Sequence, residues 1–198
     1  MKHVTQDRIS SNTGFHVEHL IELHNQVEIA LYVGDAQRAF DLIMSRWSEL
    51  SRSFLLRVQA FKIQMHSLRA RAALAAAAVE APPLPKRSLL KLAARDSRVI
   101  EREGAVWGSA LAALVRGGAE LLSGRPDEAA KVLARAEKLF QAAGMFLHDA
   151  TARRSRGLVI GGEAGRQLAA QAEADLRSEG ISNCQRFAMV IAPGQNLT

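Results

Sequence analysis

Two short phrases, ninety residues apart, restrict this chain more than any other feature: Gly34-Asp35-Ala36-Gln37-Arg38-Ala39 and Gly124-Arg125-Pro126-Asp127-Glu128-Ala129. In each, a glycine ends one amphipathic stretch, an acidic residue opens the next, and an alanine stands five residues after the glycine. Glycine adopts a left-handed backbone at a helix C-terminus without a Cβ clash. The alanines Ala39 and Ala129 let the second helix approach the first closely. Joints of this kind build stacked helix-turn-helix pairs, and such arrays present a surface to a partner.

Apolar residues recur at three- and four-residue spacing through most of the chain. Val17, Leu20, Ile21, His24, Val27 and Leu31 set the face of a first helix that Gly34 stops. Asp35 caps a second, with Ala36, Ala39, Phe40, Ile43, Trp47 and Leu50 inward. The pattern predicts a longest helix from Phe54, with one stripe through Val58, Phe61, Met65, Leu68, Ala72, Ala75 and Val79. Three prolines, Pro82, Pro83 and Pro85, end it. Further helices are expected over about 86–103, 105–122, 126–143, 146–160 and 163–178. Asn183 caps a short last one. Gly117 and Gly118, inside the fifth helix, predict close helix contact there. No alternating strand pattern is present.

The expected fold class is therefore all-α: antiparallel helix-turn-helix pairs stacked in an array of about eight helices. Residues 1–14 read as a flexible tail, 15–81 as an N-terminal helical sub-bundle and 82–85 as a proline-rich break. Residues 86–194 read as a C-terminal sub-bundle and 195–198 as a second tail. The two glycine phrases resemble tetratricopeptide repeats, with Gly117, Ala129 and Ala136 where that repeat places small residues. The ninety-residue separation is not a multiple of the usual repeat of about 34 residues, so degenerate repeats of variable length are expected.

The chain has 198 residues, of which 48% are hydrophobic and 5% aromatic, with a formal charge of +6. Abundant Ala, Leu and Arg favour helix. The longest apolar run, Ala72 to Val79, is far below the roughly 20 residues of a membrane span. The first fifteen residues have no apolar signal core. The single cysteine, Cys184, excludes an internal disulfide. A cytoplasmic protein that does not enter membranes is expected.

The strongest candidate for a partner-binding site is a basic stripe. Arg87, Lys91, Arg95, Arg98 and Arg102 are spaced four, four, three and four apart, which aligns them on one face of the fourth helix. Such a row can receive an acidic partner helix, a phosphorylated segment or nucleic acid. The alternative is a solvated face whose charge Asp96, Glu101 and Glu103 partly neutralise. Arg153, Arg154 and Arg156 form a second, smaller cluster. A protein partner is expected first and nucleic acid second.

Other constellations carry less chemistry. His16, His19 and Glu22, with His24 nearby, have helical spacing that a metal such as zinc can use, but no His-Glu-x-x-His motif accompanies them, and no metal site is assigned. Gly161-Gly162-Glu163-Ala164-Gly165-Arg166 lacks the Gly-Lys-Ser/Thr ending of a phosphate loop and reads as an interhelical turn. His66 and His148 read as isolated structural residues, and Cys184 as a structural thiol. No catalytic residue and no cofactor are assigned.

Longer phrases carry a second resemblance over nearly the whole chain. They are GFHVEHLIELHNQVEIALYVGDA from Gly14, RWSELSRSFLLRVQAFKIQMHSLRARAALAAAA from Arg46, and IGGEAGRQLAAQAEADLRSEGISNCQRFAMVIAPG from Ile160. These resemble the C-terminal helical region of large bacterial serine/threonine protein kinases of the myxobacterial type. The resemblance implies a helical array that serves assembly or regulation beside a kinase domain. The family tends to have Asn-Pro where this chain has Asn183-Cys184, which implies a looser last helix. The glycine-rich loop, strand lysine, His-Arg-Asp and Asp-Phe-Gly elements of a kinase are absent from these residues. Met1, just upstream of the matching region, implies a detached or truncated relative of the array.

Overall fold

The computed structural model describes residues 14–194. Of the two expected tails, only Gly14 falls within them. The described residues form nine α-helices and no strand. In order they are α1 (Val17–Val33), α2 (Ala36–Arg52), α3 (Gln59–Ala77), α4 (Lys86–Arg102), α5 (Val106–Leu122), α6 (Pro126–Ala142), α7 (Phe146–Ile160), α8 (Gly162–Ser178) and α9 (Cys184–Ile191). Each helix packs on the next through α8, and α3 also touches α1 and α5. This is an all-α array of adjacent antiparallel pairs.

Both predicted joints form. Gly34 has φ +85° and Gly124 has φ +74°. After each glycine the next amide reaches back across the helix end: Asp35 N–H donates to Ala30 O at 2.9 Å and Arg125 N–H to Glu120 O at 3.0 Å. This pattern satisfies carbonyls that the helix leaves open. It recurs where Met145 follows Gly144 and Ile181 follows Gly180. Asp35 Oδ1 accepts from Arg38 N–H at 3.0 Å. Ala39 and Ala129 are fully buried, as close packing of the paired helices requires.

The third helix differs from its expectation. Ser53 caps a short 3-10 turn, Phe54–Arg57, instead of an α-helix start. Leu55 and Leu56 turn toward the core, and Phe54 is left 73% exposed. The α-helix begins at Gln59, and both Val58 and Val79 lie outside it and are exposed. From Ser67 to Ala77 every residue is buried, so α3 has no solvent face over that length. The alanines make this possible, because short side chains let α2, α4 and α5 approach. The inward face of α1 is also rotated from the expected one. Leu20, Leu23, Val27, Ala30 and Leu31 are buried, whereas Val17 and Ile21 are exposed.

Residues 82–85 connect α3 and α4, which pack against each other; Ala73 and Ala76 share a cluster with Leu89, Ala93 and Val115. Helices α7 and α8 cross at glycines. A Cβ on Gly157 would stand 2.6 Å from Gly165 O and 2.8 Å from Ala169 N. Gly117 is close to the Leu133 side chain across the α5–α6 contact, as expected. Helix α9 turns back to touch α1, α3, α7 and α8. Its Val190 joins the core of α1–α3, and its Cys184 packs with Ala150 and Leu176.

Candidate functional site: a basic groove beside the fourth helix

Helix α4 is strongly two-faced. Leu89, Ala93 and Ile100 are buried. Arg87, Lys91, Arg95, Arg98 and Arg102 are all exposed, and none of the five has an ion-pair or hydrogen-bond partner among the described residues. The predicted alignment is therefore real, and all five side chains face water.

The partial neutralisation by neighbouring acids that belongs to the alternative reading does not occur at these five side chains. Asp96 turns inward, fully buried, and binds Arg69 and His66 of α3. Glu101 pairs with Arg116 of α5 at 3.1 Å and reaches Arg135 of α6 at 3.4 Å. Glu103 pairs with Lys62 at 2.5 Å. The reason is geometric: the acids lie on the turns of α4 that contact other helices, where buried or half-buried cations wait for them. The outer row keeps its full charge.

The row also divides. A groove of about 680 Å³ runs between α4 and α5. Arg87, Lys91 and Arg98 line it together with Lys86, whereas Arg95 and Arg102 lie outside its lining. Arg116 and Arg125 stand on the α5 side, and Leu90, Ala94, Ala119 and Leu122 add apolar contacts. Glu120, bound to Arg125, is the one carboxylate in the lining. Arg116 and Arg125 were not legible as part of the site, because only the α4–α5 packing brings them to it; Lys86 opens α4 itself, one residue out of the spacing of the row. The arrangement attracts anions and offers planar two-point hydrogen bonds to carboxylate or phosphate.

The second arginine cluster is not a free patch. Arg153 pairs with Asp175 at 2.7 Å, Arg154 with Glu173 at 2.9 Å and Arg156 with Glu137 at 2.6 Å. These pairs tie α7 to α8 and α6. The His16 backbone N–H donates to His19 Nδ1 at 3.1 Å, so that imidazole nitrogen serves the start of α1. Among the described residues no group of three His, Cys, Asp or Glu side chains is placed to hold a metal. Gly161 joins α7 directly to α8 as an interhelical turn. The Cys184 thiol is buried.

A second concave region gathers residues that sequence spacing does not connect. His24 and Glu28 of α1, Arg71 of α3 and His148 of α7 line one pocket. Arg71 is buried; its Nη1 donates to Val190 O of α9 at 2.7 Å and its Nη2 to Glu28 at 3.0 Å. Burial, reinforced by Arg71 and opposed by Glu28, holds the His148 imidazole down at about 4. Burial also lowers His24, with Glu28 acting against it. Neither histidine is isolated, contrary to the sequence reading of His148. His66 is likewise engaged, by Asp96. No described helix is long and apolar enough to cross a membrane. No protein-family model, curated protein or solved structure matches the chain.

Proposed function

We propose that this chain is a non-catalytic helical-repeat module that docks a protein partner through the outer face of α4, in kinase-linked signalling. One observation carries the reading: the exposed cations of α4 are unpaired while every acid of that helix is engaged elsewhere. A solvated face with no partner gains nothing from such separation of charge, whereas an acidic partner segment gains attraction and orientation from it. The apolar side chains beside the row add contact area. The kinase-linked setting rests on the resemblance of the long helical phrases. A cytoplasmic location belongs to the same reading, and the lone thiol supports it.

The test compares the wild-type chain with an Arg95→Glu, Arg98→Glu variant in affinity capture followed by quantitative mass spectrometry. Exposed charge reversals leave stability within about 0.5 kcal/mol. The reading expects an acidic protein retained by the wild type and lost by the variant. Equal recovery by both forms overturns it. Nucleic acid is the competing reading, favoured by the same cation row. It predicts a duplex mobility shift whose affinity falls steeply with salt and weakens in the same variant.

A further inference from the structure

The pocket where α1, α3, α5, α7 and α9 converge has a volume of about 420 Å³. That lies within the range of small-molecule sites, roughly 300–1,000 Å³. Its lining is half apolar, from Trp107, Leu111, Met145, Leu147, Phe187 and Ile191. The polar half contains one charge of each sign, Arg71 and Glu28, already paired at 3.0 Å. Arg71 also holds the Val190 carbonyl. The fixed charges therefore cancel, and the guanidinium has its two terminal nitrogens engaged.

What remains for a ligand is Arg71 Nε, a single N–H on a guanidinium whose charge Glu28 already balances, and otherwise neutral groups. Ser67 lines the pocket, is only 2% exposed, and its hydroxyl has no hydrogen-bond partner among the described residues. The His148 ring lies 5.3 Å from the Phe140 ring and makes no hydrogen bond there. Burial keeps that imidazole uncharged near neutral pH, with one donor and one acceptor. Arg71 Nε, of the same lining, is buried and has no partner either, and an unpartnered buried polar group is uncommon in a packed interior. Beside a half-apolar cavity, it points to a molecule that brings its own hydrogen-bonding group.

We propose that this pocket binds an uncharged ring compound with a hydroxyl or amide head, the ring among Trp107, Met145 and Phe187 and the head toward Ser67 and His148. A carboxylate in that position meets the Glu28 charge, and a cation meets Arg71; both lose hydration without a free counter-charge. Because Phe187 and Ile191 come from α9, the pocket is complete only with that helix seated. This site is independent of the α4 face.

The probe is 2-naphthol, with 2-naphthoate as its charged counterpart, titrated calorimetrically into the full chain at about pH 7. Isotope-labelled methionine methyls locate the binding. The proposal expects saturable binding of 2-naphthol, a shift at Met145 and none at Met44, and much weaker binding of 2-naphthoate. Ser67→Val should weaken the affinity about fivefold to tenfold, the equivalent of one hydrogen bond. Leu147→Trp, which fills the cavity from its half-buried edge, should abolish binding with helical content retained by circular dichroism. Absence of saturable 2-naphthol binding overturns the proposal. So does equal binding of the carboxylate, or undiminished binding in Leu147→Trp, which also decides the matter if Ser67→Val fails to fold.

Discussion

Arg69 and Asp96 form a two-point ion pair inside the array: Nε donates to Oδ2 at 2.8 Å and Nη2 to Oδ1 at 2.5 Å, with Asp96 fully buried. The guanidinium carbon lies 3.4 Å from the centroid of the Trp47 ring, and His66 Nδ1 stands 2.7 Å from the same carboxylate. One network thus joins α2, α3 and α4. It explains why a polar α3 can sit at the centre: each buried charge has a partner on a neighbouring helix.

The first prediction concerns this pair. Asp96→Ala leaves the Arg69 charge buried without compensation. Removing one partner of a buried pair costs about 3–5 kcal/mol. Urea denaturation should show a lower midpoint with an unchanged slope. A loss below about 1 kcal/mol, the value of an exposed pair, contradicts the arrangement.

The joints, the helices and the basic row were legible because each depends on residues within one turn of one another. Gly34 and Gly124 need only their own backbone conformation, and Arg87 to Arg102 need only helical spacing. Partner choice was not legible. Asp96 and Glu101 look like neighbours of the cation row, yet their partners Arg69, Arg116 and Arg135 stand on three other helices. The face of α1 was misread because Ile21 and Val17 are as apolar as the residues that are buried. The pocket was invisible for a similar reason: His24, Ser67 and His148 belong to three helices spread along the chain, and only the return of α9 closes it.

The second prediction concerns the α7–α8 crossing. The neighbours of Gly157 are backbone atoms of Gly165 and Ala169, which cannot rotate away. Gly157→Ala must separate the two helices, an overpacking cost of about 1–3 kcal/mol that exceeds the usual helix gain from alanine. A thermal melt in which Gly157→Ala is stabilised rules out close backbone contact at this site.

The third prediction follows from His148. Its pKa is about 4 in the folded chain against 6.5 when exposed. Between these values the unfolded chain holds a proton that the folded chain excludes. Stability is therefore highest above pH 6.5 and falls as pH drops toward 4. The lowered His24 acts in the same direction. The full difference at His148 corresponds to about 3 kcal/mol. Denaturation midpoints measured from neutral to mildly acid pH should fall, and His148→Gln should flatten the fall. Parallel curves for the two proteins contradict a buried neutral imidazole.

The last prediction tests how α9 is held. Val190 O belongs to the final turn of α9, where carbonyls lack partners within the helix and a cation is favoured. Arg71 supplies that cation from α3, while its Nη2 engages Glu28 of α1. Arg71→Met keeps much of the apolar stem and removes both hydrogen bonds. Glu28 is one-third exposed at 34% and can rehydrate, so no buried charge is stranded. The expected cost is about 2 kcal/mol, that of hydrogen bonds to a charged group. It should be local: amide exchange of α9 should accelerate while α5 and α6, which make no hydrogen bond to Arg71, keep their protection. Acceleration spread evenly over all helices would show that Arg71 supports the whole core and does not fasten α9 in particular.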